Sequence, residues 1–137
     1  MRASLRLRQV ANVVNLTTPL GLLVAVAVRA RLSAGPDGLV LARGARLQVP
    51  ASAFTVGNVV VLRINDAALA RRPRLLEHES RHATQYAWCA GLPFLAFYGL
   101  ASAWSWARCG DPASHNVFER LAGLADGGYR PNGGLRA

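Results

Sequence analysis

The sequence predicts an α+β fold in which a small antiparallel sheet is followed by helices. Three observations indicate this: short β-branched runs between residues 39 and 63, helical composition after residues 65–66, and an uncharged apolar stretch at residues 83–107. Short runs bounded by glycine or proline are typical of strands, whereas apolar runs of more than about ten residues are typical of helices. The 137 residues fit one globular domain.

The predicted sheet covers residues 39–63. A turn signal, "GPDG", precedes it at residues 35–38, and Pro50 separates its later runs. The runs themselves are "LVLA", "RLQV" and "FTVGNVVVL". Their β-branched content predicts an antiparallel hairpin or meander.

Helix signals follow the sheet. The Asn-Asp pair at 65–66 is a start signal, and Pro73 can open the main helix, which contains "LLEHESRHATQYAW" at residues 75–88. A last helix is predicted to start at Ser114, a suitable N-cap, and to run through "HNVFERLAGLA" to the glycines at 127–128.

The main helix carries the pattern H-E-x-x-H. His78 and His82 are four residues apart, so on a helix their imidazoles can bind the same zinc ion. Glu79 lies beside them, where its carboxylate can hold a zinc-bound water and take its proton. The alternative is an ordinary solvated helix face, in which Glu77 and Arg81 form a supporting ion pair.

A catalytic zinc site needs a third protein ligand and leaves the fourth position to water. On the predicted last helix, His115 and Glu119 are four residues apart and share a face, so either can supply that ligand. Asp126, seven residues beyond Glu119, is a further candidate. The residues alone leave the choice among these three open.

The charge of the chain is strongly positive. Sixteen basic residues, all of them arginine, stand against seven acidic residues and give a net charge of +9. Such a charge suits nucleic acid or an anionic membrane, but the arginines form no single stripe and no basic helix with interleaved aromatics. We therefore expect no nucleic-acid partner. Cys89 and Cys109 lack C-x-x-C spacing and are expected to behave as small apolar residues.

Two uncharged runs bear on membrane contact. Residues 9–28, between Arg8 and Arg29, are long enough to span a bilayer. Their polar residues also allow a buried or interfacial helix broken near Pro19, or a signal peptide. Residues 83–107 contain all three tryptophans, which suits a membrane interface as well as a core helix. The sequence therefore predicts a membrane-associated protein, with a cytoplasmic one as the alternative.

Three segments resemble a known family. "ASAFTVGNVVV", "LLEHESRHATQ" and "NVFERLAG" are similar in order and spacing to the small bacterial gluzincin-like metallopeptidase domains, over residues 51–126. The resemblance implies a zincin-like mini-domain in which a small sheet precedes the active-site helix, an apolar helix and a third-ligand helix. It implies zinc ligands at His78, His82 and Glu119, and a general base at Glu79.

The resemblance also extends to the surroundings of the site. It implies that the strand at 54–61 is an edge that pairs with an extended peptide, and that Gln85 supports a ligand. Members of the family commonly place an acidic residue four positions after the ligand glutamate, whereas this chain has Gly123 there. We therefore expect another carboxylate, Asp126 or Asp111, to orient a histidine.

Two regions and one function follow from these features. Residues 1–33 are an apolar, arginine-flanked segment and a candidate for membrane contact, and residues 34–137 are the zincin-like metal-binding domain. The predicted function is that of a zinc-dependent hydrolase, a peptidase acting on a peptide or protein, in which Glu79 activates the water. The alternative is a non-catalytic membrane-associated protein, either an inactive zincin-like protein or a structural helical one.

Overall fold

A four-stranded mixed sheet lies at the centre of the computed structural model, which describes residues 2–49 and 51–129. Its strands are β1 (Arg31–Ala34), β2 (Val40–Arg43), β3 (Ala53–Val56) and β4 (Val59–Leu62). Their spatial order is β1-β2-β4-β3, with antiparallel outer pairs and a parallel β2–β4 pair. The predicted mixture of helices with a small sheet is confirmed, whereas the expected purely antiparallel sheet is wrong.

The parallel pair arises because the chain leaves the sheet after β2 and re-enters it through a hairpin. Residues 46–49, predicted as a strand, form none, since Arg46 donates its backbone N–H to Val28 O at the end of a helix. The predicted strand at 54–61 is the β3–β4 hairpin. Gly57 turns it with a φ of 63°, and a Cβ there would lie 2.8 Å from Thr17 O. Of the two strands of this hairpin, β3 lies at an edge of the sheet and β4 is internal.

Within the described residues, six α-helices surround the sheet. They are α1 (Ala3–Val14), α2 (Thr17–Ala27), α3 (Asp66–Ala70), α4 (Leu75–Trp88), α5 (Leu92–Cys109) and α6 (Val117–Ala122). One turn of 3₁₀ helix, Pro36–Gly38, connects β1 to β2. The start signal before α3 is confirmed, because Asn65 Oδ1 accepts from the Ala68 N–H at 2.8 Å.

The sheet is the middle layer between two groups of helices. Alternate residues of a strand face opposite sides, so in β4 Val60 and Leu62 pack in one cluster with Leu75 of α4. Val59 and Val61 pack in a second cluster with Ala25 of α2. The N-terminal helices therefore cover one face of the sheet, and α4 covers the other.

Two helix pairs bend at apolar corners. In the part of the chain that is described, no single helix has both the length and the hydropathy of a membrane span. The α1–α2 pair and the α4–α5 pair each have the length and the hydropathy of a span when their two helices are taken together. The first pair bends by 72° and the second by 118°. The first bend lies at Asn15-Leu16. Pro19 is in the first turn of α2, where its missing N–H is tolerated.

Asn12 joins α1 to the hairpin and to α4. Its fully buried side-chain amide donates to Asn58 Oδ1 at 2.8 Å and to Ala83 O at 2.9 Å. Arg8, one turn earlier, donates to Ser80 Oγ at 2.7 Å. Since a buried acceptor is costly without a donor, these bonds fix the position of α1 against the helix that carries the H-E-x-x-H pattern.

We expect Asn12→Ala to lower the free energy of unfolding by about 1–3 kcal/mol, because it leaves the buried Asn58 Oδ1 without its donor and removes the bond to Ala83 O. Urea unfolding followed by circular dichroism measures the change. Ser4→Ala, at an exposed position of the same helix, is the control and should remain within about 0.5 kcal/mol of the parent. Equal stabilities for the two variants would contradict the structural role of Asn12.

Candidate metal centre

Three buried side chains from α4 and α6 converge on one point. Two histidines one helical turn apart place their Nε2 atoms 3.1 Å from each other, and these are His78 and His82. Glu119 Oε2 lies 3.1 Å from His78 Nε2 and 3.3 Å from His82 Nε2. The structure thus brings together, as a group that could hold a metal ion, the three residues predicted as ligands.

The hydrogen-bond partner of Nδ1 determines which nitrogen of each imidazole carries the proton. His78 Nδ1 is 2.8 Å from Gly123 O, and a carbonyl oxygen only accepts, so the proton is on Nδ1. His82 Nδ1 is 2.8 Å from Gln85 Oε1. The Gln85 amide is itself oriented, because its Nε2 donates to Phe118 O at 2.9 Å. Each imidazole therefore directs its Nε2 atom, the one that would bind a metal ion, toward Glu119.

The spacing of these atoms fits a metal ion. Ligand atoms about 2.1 Å from a tetrahedral ion are about 3.4 Å from one another, close to the distances of 3.1–3.3 Å found here. Three acceptors at this spacing repel each other unless a cation or a proton lies between them. The chemistry of the set, two neutral nitrogens and one carboxylate, is that of a divalent-metal site with room for a further ligand.

The third converging side chain, Glu119, is held as a carboxylate. Burial would raise the pKa of Glu119, but the neighbouring His78 and His82 imidazoles and the Tyr98 hydroxyl outweigh burial and keep this pKa well below its usual range. Tyr98 donates to Glu119 Oε1, the oxygen that does not face the histidines. Because burial and the nearby carboxylate raise the pKa of Tyr98, its hydroxyl keeps its proton and remains a donor.

Glu79 lies on the same cavity as the three converging side chains. The cavity has a volume of about 230 Å³, and β3 forms one of its walls. Glu79 is buried, and its Oε2 accepts from Thr55 Oγ1 at 2.6 Å. Burial raises the pKa of Glu79, while His82 and the hydrogen bond from Thr55 oppose that rise. Tyr86, which donates to Thr55 O at 3.0 Å, fixes β3 against α4.

The remaining candidate residues lie elsewhere. α6 begins at Val117 and is capped by Asn116, whose Oδ1 accepts from the Phe118 N–H at 3.0 Å, so the predicted N-cap at Ser114 is wrong. His115 therefore precedes the helix and is exposed, and it does not share a helical face with Glu119. The helix also ends at Ala122, before the predicted glycines at 127–128.

The predicted carboxylate partners of the histidines also have other roles. Asp126 pairs with Arg81 at 2.9 Å and with Arg74 at 3.4 Å. Asp111 Oδ1 accepts from the backbone N–H groups of residues 113 and 114. The expectation that one of them orients a histidine is wrong, because a carbonyl and an amide occupy those positions. Gln85, predicted to support a ligand, contacts His82.

Sequence reasoning missed three features around the converging side chains. Gly123, where an acid was expected, supplies its backbone carbonyl to His78. A Cβ on Gly127 would lie 2.7 Å from His78 Nε2, so only glycine leaves room for the imidazole. Tyr98 was missed because it lies in an uncharged helix. A hydroxyl among apolar residues was the one signal that could have indicated its role.

No protein-family model, curated protein or solved structure matches this chain. The resemblance to gluzincin-like domains therefore stays a prediction.

We expect the purified chain to bind about one divalent metal ion and Glu119→Gln to weaken binding by about 100-fold or more, since loss of even a supporting residue costs 10–100-fold. Competition with a chromogenic chelator measures the affinity. His115→Ala replaces the exposed histidine and should bind as the parent does. Loss of binding in His115→Ala, with binding intact in Glu119→Gln, would reverse the ligand assignment.

We expect Gly127→Ala to weaken metal binding by about 10–100-fold, because its methyl group displaces the His78 ring. Gly99→Ala is a matched control, since a Cβ at that position of α5 meets nothing within 4 Å. Both variants should show the circular dichroism spectrum of the parent. If the two bind metal equally well, Gly127 does not determine the position of His78.

Proposed function

We propose that this chain is a zinc-dependent hydrolase that cleaves peptide bonds. The observation that carries the proposal is the buried Glu79 carboxylate on the same cavity as His78, His82 and Glu119. Two imidazoles, one carboxylate and an open fourth position make up a donor set that catalytic zinc uses. Glu79 is not one of the three converging ligands, which leaves its carboxylate for acid–base chemistry.

When bound, zinc supplies Lewis acidity that polarises the substrate carbonyl. Glu79 takes the proton from the attacking water and passes it to the leaving amine. The hydrogen bond from Thr55 to Oε2 fixes the carboxylate, and no hydrogen bond found within the described residues engages Oε1. Burial, which raises the pKa of Glu79, makes this carboxylate a stronger base than an exposed one.

The edge strand β3 favours an extended peptide as the substrate. Hydrogen-bonded residues alternate along an antiparallel pair, and the bond from Arg63 N–H to Ser52 O sets the pattern. Ala53 and Thr55 therefore direct their backbone groups away from β4. Thr55 O already accepts from Tyr86. Among the residues that the structure describes, the N–H and C=O of Ala53 and the N–H of Thr55 have no hydrogen-bond partner, so they can pair with a substrate strand.

The residues that line the cavity determine which substrate side chains can bind in it. Val56, Phe94 and Leu95 contribute apolar surface next to the ligand group. An apolar side chain beside the scissile bond would bury its surface against them, whereas a charged one would lose its hydration without a partner. We therefore expect cleavage next to apolar residues.

Glu79→Gln should keep the metal and the fold but lower peptide turnover by about 10²–10⁴-fold, the contribution of a general base. Turnover is measured against a broad peptide library at matched zinc content. Glu77→Gln is the control on the same helix, where the side chain is 58% exposed, and it should retain the activity of the parent. Equal turnover in the Glu79 and Glu77 variants would remove Glu79 from the mechanism.

A protein that holds metal without turnover is the second candidate. The cavity volume of about 230 Å³ favours it, because ligand pockets usually measure about 300–1,000 Å³. The same experiment separates the two candidates. Zinc binding without turnover, in the parent as well as in the variants, would support the non-catalytic protein.

A further inference from the structure

We propose that the α1–α2 and α4–α5 corners together form one end of the molecule that inserts into a single leaflet of a lipid bilayer. The first corner lies at Asn15-Leu16 and the second at Ala90-Gly91. The two corners touch, since a Cβ on Gly91 would lie 2.6 Å from Asn15 Cβ. The proposal does not depend on the metal centre or on hydrolysis.

Large apolar side chains are exposed at both corners. Leu16 is 59% exposed and Trp88 is 85% exposed. The exposed apolar set around them comprises Val10, Val13 and Val14 of α1, Leu23 and Val26 of α2, and Leu92, Leu95, Phe97 and Leu100 of α5. A groove between α1 and α4, lined by Leu7, Ala11 and Trp88, continues this surface. Monomeric soluble proteins rarely leave so much apolar surface in water.

The distribution of charge favours lipid as the occupant. No aspartate, glutamate, lysine or arginine occurs between Arg8 and Arg29, or between Arg81 and Arg108. Each corner is thus the middle of an uncharged segment, and arginines stand only at the far ends of its arms. Arg108 lies 5.7 Å over the Trp104 ring, an arginine–tryptophan pairing that suits the headgroup region.

The lengths of the arms limit the depth of insertion. The shortest arm runs from Arg8 to Val14, six residues or about 9 Å of helix. The hydrocarbon core of a bilayer is about 30 Å thick, so insertion to that depth stays within one leaflet. The longer arms then lie obliquely in the same leaflet, and their arginines reach the headgroups.

The backbone at Leu16 is a second, independent observation. Leu16 has a φ of 69°, in the left-handed region that favours glycine or asparagine. An exposed leucine in this conformation is unfavourable in water for its backbone and for its side chain. Contact with lipid removes the cost of exposing the leucine side chain to water, and this makes Leu16 the best position to test.

The test is flotation of the full chain with phosphatidylcholine vesicles in 1 M salt, where a Debye length of about 3 Å suppresses attraction by the net positive charge. We expect the parent to float with the vesicles and Leu16→Asn to partition about tenfold less or worse, from the loss of one buried leucine. Because asparagine tolerates the left-handed conformation, the melting temperature should not fall.

Leu121→Asn is the matched control, since Leu121 is 69% exposed on α6 and lies outside both corners. It should float as the parent does. A second measurement uses a variant in which Trp88 is the only tryptophan: lipids brominated in the acyl chain should quench its fluorescence.

Four results would overturn the proposal: a parent that stays in the aqueous fraction, binding only to anionic vesicles at low salt, equal losses in the two leucine variants, or unquenched Trp88. A parent that dimerises through this surface and ignores vesicles would also overturn it. In that case the occupant of the corners is a second copy of the chain.

Discussion

The convergence of three polar side chains on one point in the protein interior is the constraint on which the site depends. His78, His82 and Glu119 each direct an acceptor to one point, at distances of 3.1–3.3 Å. Their partners hold this arrangement, since Gly123 O and Gln85 place the imidazole protons on the opposite nitrogens. The interior therefore holds three converging side chains whose arrangement suits a bound cation.

α4 connects this site to the rest of the molecule, because each of its faces has a different neighbour. The histidines face α6, Leu75 belongs to the core against the sheet, and Ser80 accepts from Arg8 of α1. A displacement of α4 would thus change the ligand spacing, the core packing and the buried polar contacts together. This rigidity matters for a site in which errors of about 0.5 Å degrade function.

The sequence predicted local features well and long-range ones poorly. The pairing of His78 with His82 follows from helical periodicity, which is local. The choice of Glu119 over His115 depends on where α6 begins, and Asn116 rather than Ser114 is its cap. The parallel β2–β4 pair depends on where the chain re-enters the sheet after β2, which is a long-range property. A backbone carbonyl such as that of residue 123 leaves no side-chain signal.

The short helix α6 carries a consequence for the order of folding. It has only six residues, too few to be stable alone, and it is separated from α4 by the whole of α5. An ion bound by two residues of α4 and one of α6 would cross-link the two helices and close a loop of about forty residues. The free energy of metal binding would then also stabilise the fold. Metal supply during synthesis would in that case set when the C-terminal part of the chain becomes resistant to proteases.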